Sequence, residues 1–306
     1  MKKKIISIVV MIILIVMVIY LILNGKDIYN DLTKENINVV ITQLKMTDTD
    51  GGQGYGIKLP SGKLVMIDGG YYQDAVPVEE YIKANGGEVL YWFITHPHFD
   101  HVGGLNAILA KEVEGIEIEN IYYSGFTPEF FEEEGVGKDL EKLNKATEWM
   151  TFEYFKENTD INFVELKRDD VLDIEGIKMT CLHGFDENIV DVNGNSLLLH
   201  FNFGKDTFLF TGDATDTTFE SMVEHYGENN DLLDVDYIQI PHHGYMAGFS
   251  TDYLYRLTTP DVAYLDCSRN EYKNNLVNIQ VHLDFLRNLN IPIVKRFEGD
   301  NILRIE

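Results

Sequence analysis

Cysteine is scarce in this sequence: Cys181 and Cys267 are the two in 306 residues. Two allow at most one disulfide, and neither has a Cys-x-x-Cys neighbour, so disulfides are excluded as the organising device. Basic residues are also few, 25 against 50 acidic, for a formal net charge of −25. Such a surface repels polyanions, and no basic stripe interrupts it beyond the N-terminal tip, so long nucleic acid is not an expected partner. Internal repeats and low-complexity segments are absent. What remains, 45% hydrophobic and 25% charged, is an ordinary globular composition with room for one sizeable α/β domain and an anchor.

Long apolar runs are rare too. The one that stands out is Ile5 to Leu23, 19 residues without a charge, following Lys2-Lys3-Lys4. That length spans the hydrocarbon layer as a helix. A secretory signal has a shorter apolar core, about 7–15 residues, and ends at a small-residue cleavage site, which Leu23-Asn24-Gly25-Lys26 does not offer. The expectation is an uncleaved membrane anchor over residues 1–26, with secretion after cleavage as the alternative. A polar linker follows over 27–36, then a globular domain over 37–306. The lysines stay on the cytoplasmic side by the positive-inside rule, which puts the domain outside the cell.

The chemistry is concentrated in Thr95-His96-Pro97-His98-Phe99-Asp100-His101, after the apolar run Val89 to Ile94. That run reads as a buried strand, and its C-terminal end is where open α/β sheets carry their sites. His96 and His98 are two apart, so in extended chain their rings point the same way and can share a metal. Asp100 and His101 come after the chain has turned and can serve a second one. Val102-Gly103-Gly104 is expected to open a helix over Leu105 to Lys111. Upstream, Gly56–Leu59 and Lys63–Asp68 read as a hairpin closing on Asp68-Gly69-Gly70. Ala75 to Ala84 reads as a helix. Downstream, strands ending in Thr211-Gly212-Asp213 and Pro241-His242-His243-Gly244 follow in order, with His183 at another strand end before them. Ser124 to Gly137, acidic and aromatic, reads as a solvated loop or a lip over the site. Lys138 to Asn158 reads as one long helix whose aromatics are packing residues.

The set H-x-H-x-D-H, with D-G-G before it and T-G-D after it, resembles the metallo-β-lactamase fold, a superfamily of mostly dinuclear metallohydrolases. Asn193-Gly194-Asn195-Ser196-Leu197 and the P-H-H-G motif are similar to its ComEC-like branch of phosphoesterases. The resemblance implies a four-layer αβ/βα sandwich, two mixed sheets face to face with helices outside. It implies a first metal on His96, His98 and His183, with Asn193 as the alternative to His183. A second metal falls to Asp100, His101 and His243, with Asp213 bridging the two. Asp68 would brace the metal loop without binding metal. His242 would face substrate as a phosphate contact or proton donor, the roles of His242 and His243 being exchangeable. Tyr245 stands where the branch has serine, which changes the pocket edge. His282, between Val281 and Phe285, reads as structural.

Two divalent ions are therefore the expected cofactor; zinc suits the donors, and manganese or iron would too. The implied activity is phosphodiester hydrolysis by a hydroxide shared between the metals, on a small or envelope-bound ester. Asp100, Asp213 and His242 would be its catalytic groups. β-Lactam or other amide hydrolysis, and a non-catalytic metal-binding scaffold, are the competing readings.

Overall fold

The computed structural model describes residues 36–47, 52–133, 140–245 and 251–306. The expected anchor over 1–26 and the linker up to residue 35 lie outside them. Among the described residues no helix is long and apolar enough to cross a membrane.

The chain from Ile37 builds two seven-stranded sheets. The first holds β1 (Val39–Gln43), β2 (Tyr55–Lys58), β3 (Leu64–Ile67), β4 (Glu88–Ile94), β5 (Glu117–Ser124), β6 (Asn162–Leu166) and β14 (Asn301–Ile305). Their order is β14-β1-β2-β3-β4-β5-β6. The second holds β7 (Val171–Ile174), β8 (Ile177–His183), β9 (Leu198–Asn202), β10 (Thr207–Phe210), β11 (Tyr237–Gln239), β12 (Val262–Leu265) and β13 (Ile293–Lys295). Their order is β13-β12-β11-β10-β9-β8-β7. Each sheet is antiparallel on one side and parallel on the other, β3 pairing parallel with β4 and β10 parallel with β11. Parallel strands need covered faces, and here helices supply the cover.

Strand periodicity explains the layers. In β4, Phe93 points into the core shared by the two sheets, among Phe201 and Tyr122, while Trp92 and Ile94 point to the helix side. Both faces are buried, which is why the strand reads as an unbroken apolar run. In β10, Phe208 and Phe210 face the other sheet and Leu209 faces helices. Against the first sheet lie α1 (Ala75–Ala84), α2 (Phe99–Lys111) and α4 (Leu140–Asn158), through Val78, Ile82, Leu105 and Phe152. Against the second lie α5 (Asp216–Tyr226), α6 (Thr251–Thr258) and α8 (Leu276–Asn288), through Phe219, Met222, Leu254 and Leu283. Full burial of each such side chain stabilises the fold by about 1.5–3 kcal/mol. The result is helix, sheet, sheet, helix.

Four details differ from the sequence reading or have no place in it. Helix α2 begins at Phe99, not Leu105, so Asp100 and His101 occupy its first turn. Gly103 and Gly104 weaken a helix by propensity and so read as its start. They are kept inside it because a Cβ on Gly104 would run into the carbonyl oxygen of Gly69. The stretch after Ser124 contains a helix, α3 (Pro128–Glu133), and Phe126 and Phe131 pack with Trp149 and Val192. Helices α6 and α7 (Arg269–Asn274) have no counterpart in that reading. Finally, β14 leaves the C-terminal half and pairs antiparallel with β1.

Candidate metal centre

Every candidate ligand sits at the C-terminal end of a strand or in the turn that follows. The end of β4 and the start of α2 carry His96, His98, Asp100 and His101; the end of β10 carries Asp213; the end of β11 carries His242 and His243. The ring centroids of His96 and His98 are 4.5 Å apart. Asp100, in the first turn of α2, gains from the positive end of the helix dipole.

Two groups of donors result. The ligand atoms of His96, His98 and Asp213 lie within 4.8 Å of one another, and so do those of Asp100, His101, Asp213 and His243. Asp213 belongs to both and turns one oxygen to each. Its Oδ1 is 3.1 Å from His101 Nε2 and 3.5 Å from His243 Nε2, and its Oδ2 is 3.7 Å from His96 Nε2. Asp100 Oδ2 is 3.2 Å from His243 Nε2.

The far side of each ring fixes which nitrogen faces inward. His101 Nδ1 donates to Asp68 Oδ2 at 2.7 Å, and His243 Nδ1 donates to the Asp266 carbonyl at 2.8 Å. In each case Nε2 is turned to the centre, the arrangement that orients a metal-binding imidazole. Asp68 is fully buried and also accepts from Thr95 N and Oγ1, both at 2.8 Å. Its role is to hold the loop and His101. Backbone strain gathers here: Asp68, His242 and His243 all have positive φ, at 53°, 49° and 52°. Such conformations cost of order 1–3 kcal/mol each outside glycine and persist where the surroundings enforce them.

The electrostatics test whether cations fit. His96 Nε2 is buried without a hydrogen-bond partner. Burial, then the neighbouring His101 and His98, push the His96 pKa well below its ordinary value. Its Nε2 faces the Asp213 carboxylate at 3.7 Å with no hydrogen bond between them, an arrangement that suits a cation between the two. Burial would also lower His101 and His243, but Asp213 and the other carboxylates outweigh it. His101 is raised well above its usual range and His243 to about 9. Asp100, despite burial, is held at about 2 by His101 and His243. Protons on these histidines occupy the place a divalent cation would take. The donor set therefore fits two divalent ions sharing one carboxylate.

The remaining candidates fall around this centre. His183 ends β8, buried, but neither donor group includes it. Its Nδ1 donates to the Ser196 carbonyl at 3.2 Å, and burial lowers its pKa to about 4. Asn193 lies beside the centre, donating from Nδ2 to His242 Nε2 at 3.2 Å. His242 Nε2 is 3.8 Å from Asp213 Oδ2, and its side chain is about one quarter exposed (24%). The Tyr245 ring lies 5.9 Å from that of His242, and its hydroxyl is held by Asn275 Nδ2 at 2.8 Å. His282 is buried in α8 against the Tyr255 hydroxyl, 2.8 Å away. The sequence reading passed over Ser196, whose Oγ accepts from Asp213 N at 3.1 Å and lies 3.3 Å from His96 Nδ1. Its place inside the N-G-N-S-L motif was the available signal.

No curated protein matches the chain in sequence. Among solved structures, the metallo-beta-lactamase fold protein YhfI from Bacillus subtilis is 12% identical, with a TM-score of 0.53 over 87% of this chain and 99% of that one. CmlA, a diiron beta-hydroxylase from Streptomyces venezuelae, is 13% identical, with a TM-score of 0.53 over 88% of this chain. The match spans 54% of CmlA. At such identities the likeness is one of fold. The model of the metallo-beta-lactamase superfamily matches residues 55–243, from β2 to the last histidine of the centre, more than half of the chain. With the αβ/βα layers and the paired His/Asp groups already in place, this chain belongs to the metallo-β-lactamase superfamily.

Proposed function

We propose that this chain is a dinuclear metal-dependent phosphodiesterase or phosphoesterase, tethered to the membrane by residues 5–23 with its catalytic domain outside. The observation that carries the reading is Asp213, which turns Oδ1 to His101 and His243 and Oδ2 to His96. His96, His98 and Asp213 would hold one ion, and Asp100, His101, His243 and Asp213 the other. Asp213 offsets the repulsion between two close cations. When bound, the two ions supply a water acidified to a pKa of about 7 and take up negative charge developing on the substrate. His242, the more exposed of the paired histidines, contacts a phosphate oxygen or protonates the leaving group. Asn193 orients its ring.

The N-G-N-S-L and P-H-H-G motifs favour the ComEC-like branch and hence a phosphoester. The net charge of −25 favours a small or envelope-bound substrate over long nucleic acid. Zinc is the expected ion by its donors, with manganese and iron as the others, iron being the metal of the structurally similar CmlA. The experiment strips the purified full chain of metal, restores zinc, manganese or iron in turn, and follows a chromogenic phosphodiester and a β-lactam in parallel. Metal-dependent cleavage of the phosphodiester supports the proposal. Cleavage of the β-lactam alone supports amide hydrolysis, and two bound ions with no turnover of either supports a scaffold.

A further inference from the structure

The two donor groups draw on both sheets, so something must fix the spacing between the sheets at the centre. β4 and α2, on the first sheet, supply His96, His98, Asp100 and His101. β10 and β11, on the second, supply Asp213 and His243. Across the interface runs one chain of side-chain amides. Gln239, the last residue of β11, is fully buried. Its Oε1 accepts from Thr211 N and Gly212 N, both at 2.8 Å, in the turn that carries Asp213. Its Nε2 donates to Gln53 Oε1 at 2.8 Å. Gln53, also fully buried, donates from Nε2 to Asp68 Oδ2 at 3.0 Å, the oxygen that holds His101 Nδ1. Gln53 N donates to the Asp100 carbonyl at 3.0 Å, and its carbonyl accepts from Gly70 N at 2.8 Å.

The direction of this chain is forced. Two backbone N–H groups can meet only an oxygen, so the Gln239 amide has one orientation. Its nitrogen then meets Gln53, which must answer with oxygen and turn its own nitrogen to a carboxylate. Every donor has an acceptor, and reversing either amide would set like against like at both ends. A buried network satisfied in one sense only rigidifies what it joins.

We infer that Gln53 and Gln239 are positioning residues that lock the Asp213 turn to the Asp68–His101 brace across the two sheets and so set the spacing of the metal pair. The inference rests on the metal-centre reading proposed above, and it concerns ion binding, not the reaction. Neither glutamine touches a donor atom of the centre. Removing one amide breaks this link and leaves the Asp213 turn tied to the β4 side through Ser196 Oγ, near His96 Nδ1, and through the bond from Leu197 N to the Thr95 carbonyl, which loosens the sharing of Asp213.

The test is calorimetric titration of the metal-free full chain with zinc ion alone, comparing wild type, Gln53→Met, Gln239→Met and the double variant. Methionine keeps the length and removes the amide. The expected result is two ions in the wild type. In each single variant, one of the two should bind about 10–100-fold more weakly, the usual effect of losing an outer partner of a ligand. The double variant should be no weaker than the weaker single, because one chain is broken once. Wild-type affinities in both single variants would overturn the inference, as would losses that add in the double. Metal-free melting is recorded for each. If a methionine variant lacks a cooperative melt, Gln53→Glu takes its place; it keeps the volume and sets a carboxylate against Asp68, and wild-type zinc affinity in it would equally overturn the inference. Two zinc ions in the wild type without phosphodiester turnover would count against the proposed activity and leave this inference standing.

Discussion

His101 Nε2 and His243 Nε2 lie 3.3 Å apart, although the residues are 142 positions apart and come from different sheets. Each ring is fixed from behind, His101 by Asp68 and His243 by the Asp266 carbonyl. Two inward nitrogens at that distance, beside Asp213 and Asp100, form a stable pair when a proton or a cation lies between them. The fold enforces this convergence before any ion arrives.

Asp68→Asn should leave the fold in place and weaken the centre. The amide still fills the space but cannot accept from Thr95 and His101 as the carboxylate does. Metal affinity should fall about 10–100-fold, as read by competition with a chromogenic chelator. Unchanged affinity would remove Asp68 from the brace.

His243 and Asp100 together should favour the metal-free fold most in mildly acidic solution. His243 rises from an ordinary 6.5 to about 9 on folding, so its contribution is full below 6.5 and is lost as pH climbs through 9. Asp100 falls from 3.8 to about 2, so its contribution is full above 3.8 and is lost as pH drops through 2. Melting temperature should therefore decline as pH climbs from 6.5 toward 9 without metal, and less steeply with it. Binding at pH 7 should release protons, measurable by titration in buffers of different ionisation enthalpy. No proton release would contradict the charge state assigned to His243.

Gly104→Ala should destabilise the protein by about 1–3 kcal/mol, the usual cost of overpacking. Its Cβ would meet the Gly69 carbonyl, backbone that cannot swing aside. Since α2 also carries Asp100 and His101, the variant should lose metal affinity as well. Denaturant melts of the metal-free and metal-loaded forms would show both effects; a wild-type midpoint would mean that the helix can move off freely.

His242→Ala should keep both ions and lose turnover by about 10²–10⁴-fold, the range for a positioned acid–base group. The stoichiometry of bound metal, measured beside the rate, makes the distinction. Loss of an ion in this variant would make His242 a ligand.

Much of the centre was legible because its residues are short-range signatures. His96, His98, Asp100 and His101 lie within six positions, and Asp213 and His243 follow strands whose apolar runs are plain in the sequence. The role of His183 is not legible from its place at a strand end, which a ligand and a loop histidine share; in the structure it lies outside both donor groups, with its Nε2 buried and without a hydrogen-bond partner. The start of α2 was hidden by Gly103 and Gly104, whose propensity argues against a helix that the close approach to Gly69 requires. Helix α7 is short, and its capping box from Ser268 to Glu271 is a local signal easily lost among polar neighbours. The pairing of β14 with β1 depends on residues more than 250 positions apart, such as Val39 and Ile305, and no local pattern encodes it. Gln53 and Gln239 belong to no motif; their meaning arises only when the two sheets face each other.

The most direct measurement is hydrolysis of a chromogenic phosphodiester by the full chain, metal-stripped and then zinc- or manganese-loaded, beside Asp213→Ala treated alike. Metal-dependent turnover that falls by at least about 10³-fold in the variant is the predicted result, since on the proposed reading one carboxylate would serve both ions. Full activity in Asp213→Ala would contradict the shared-carboxylate mechanism, and no turnover in the wild type with both ions bound would contradict the proposed activity.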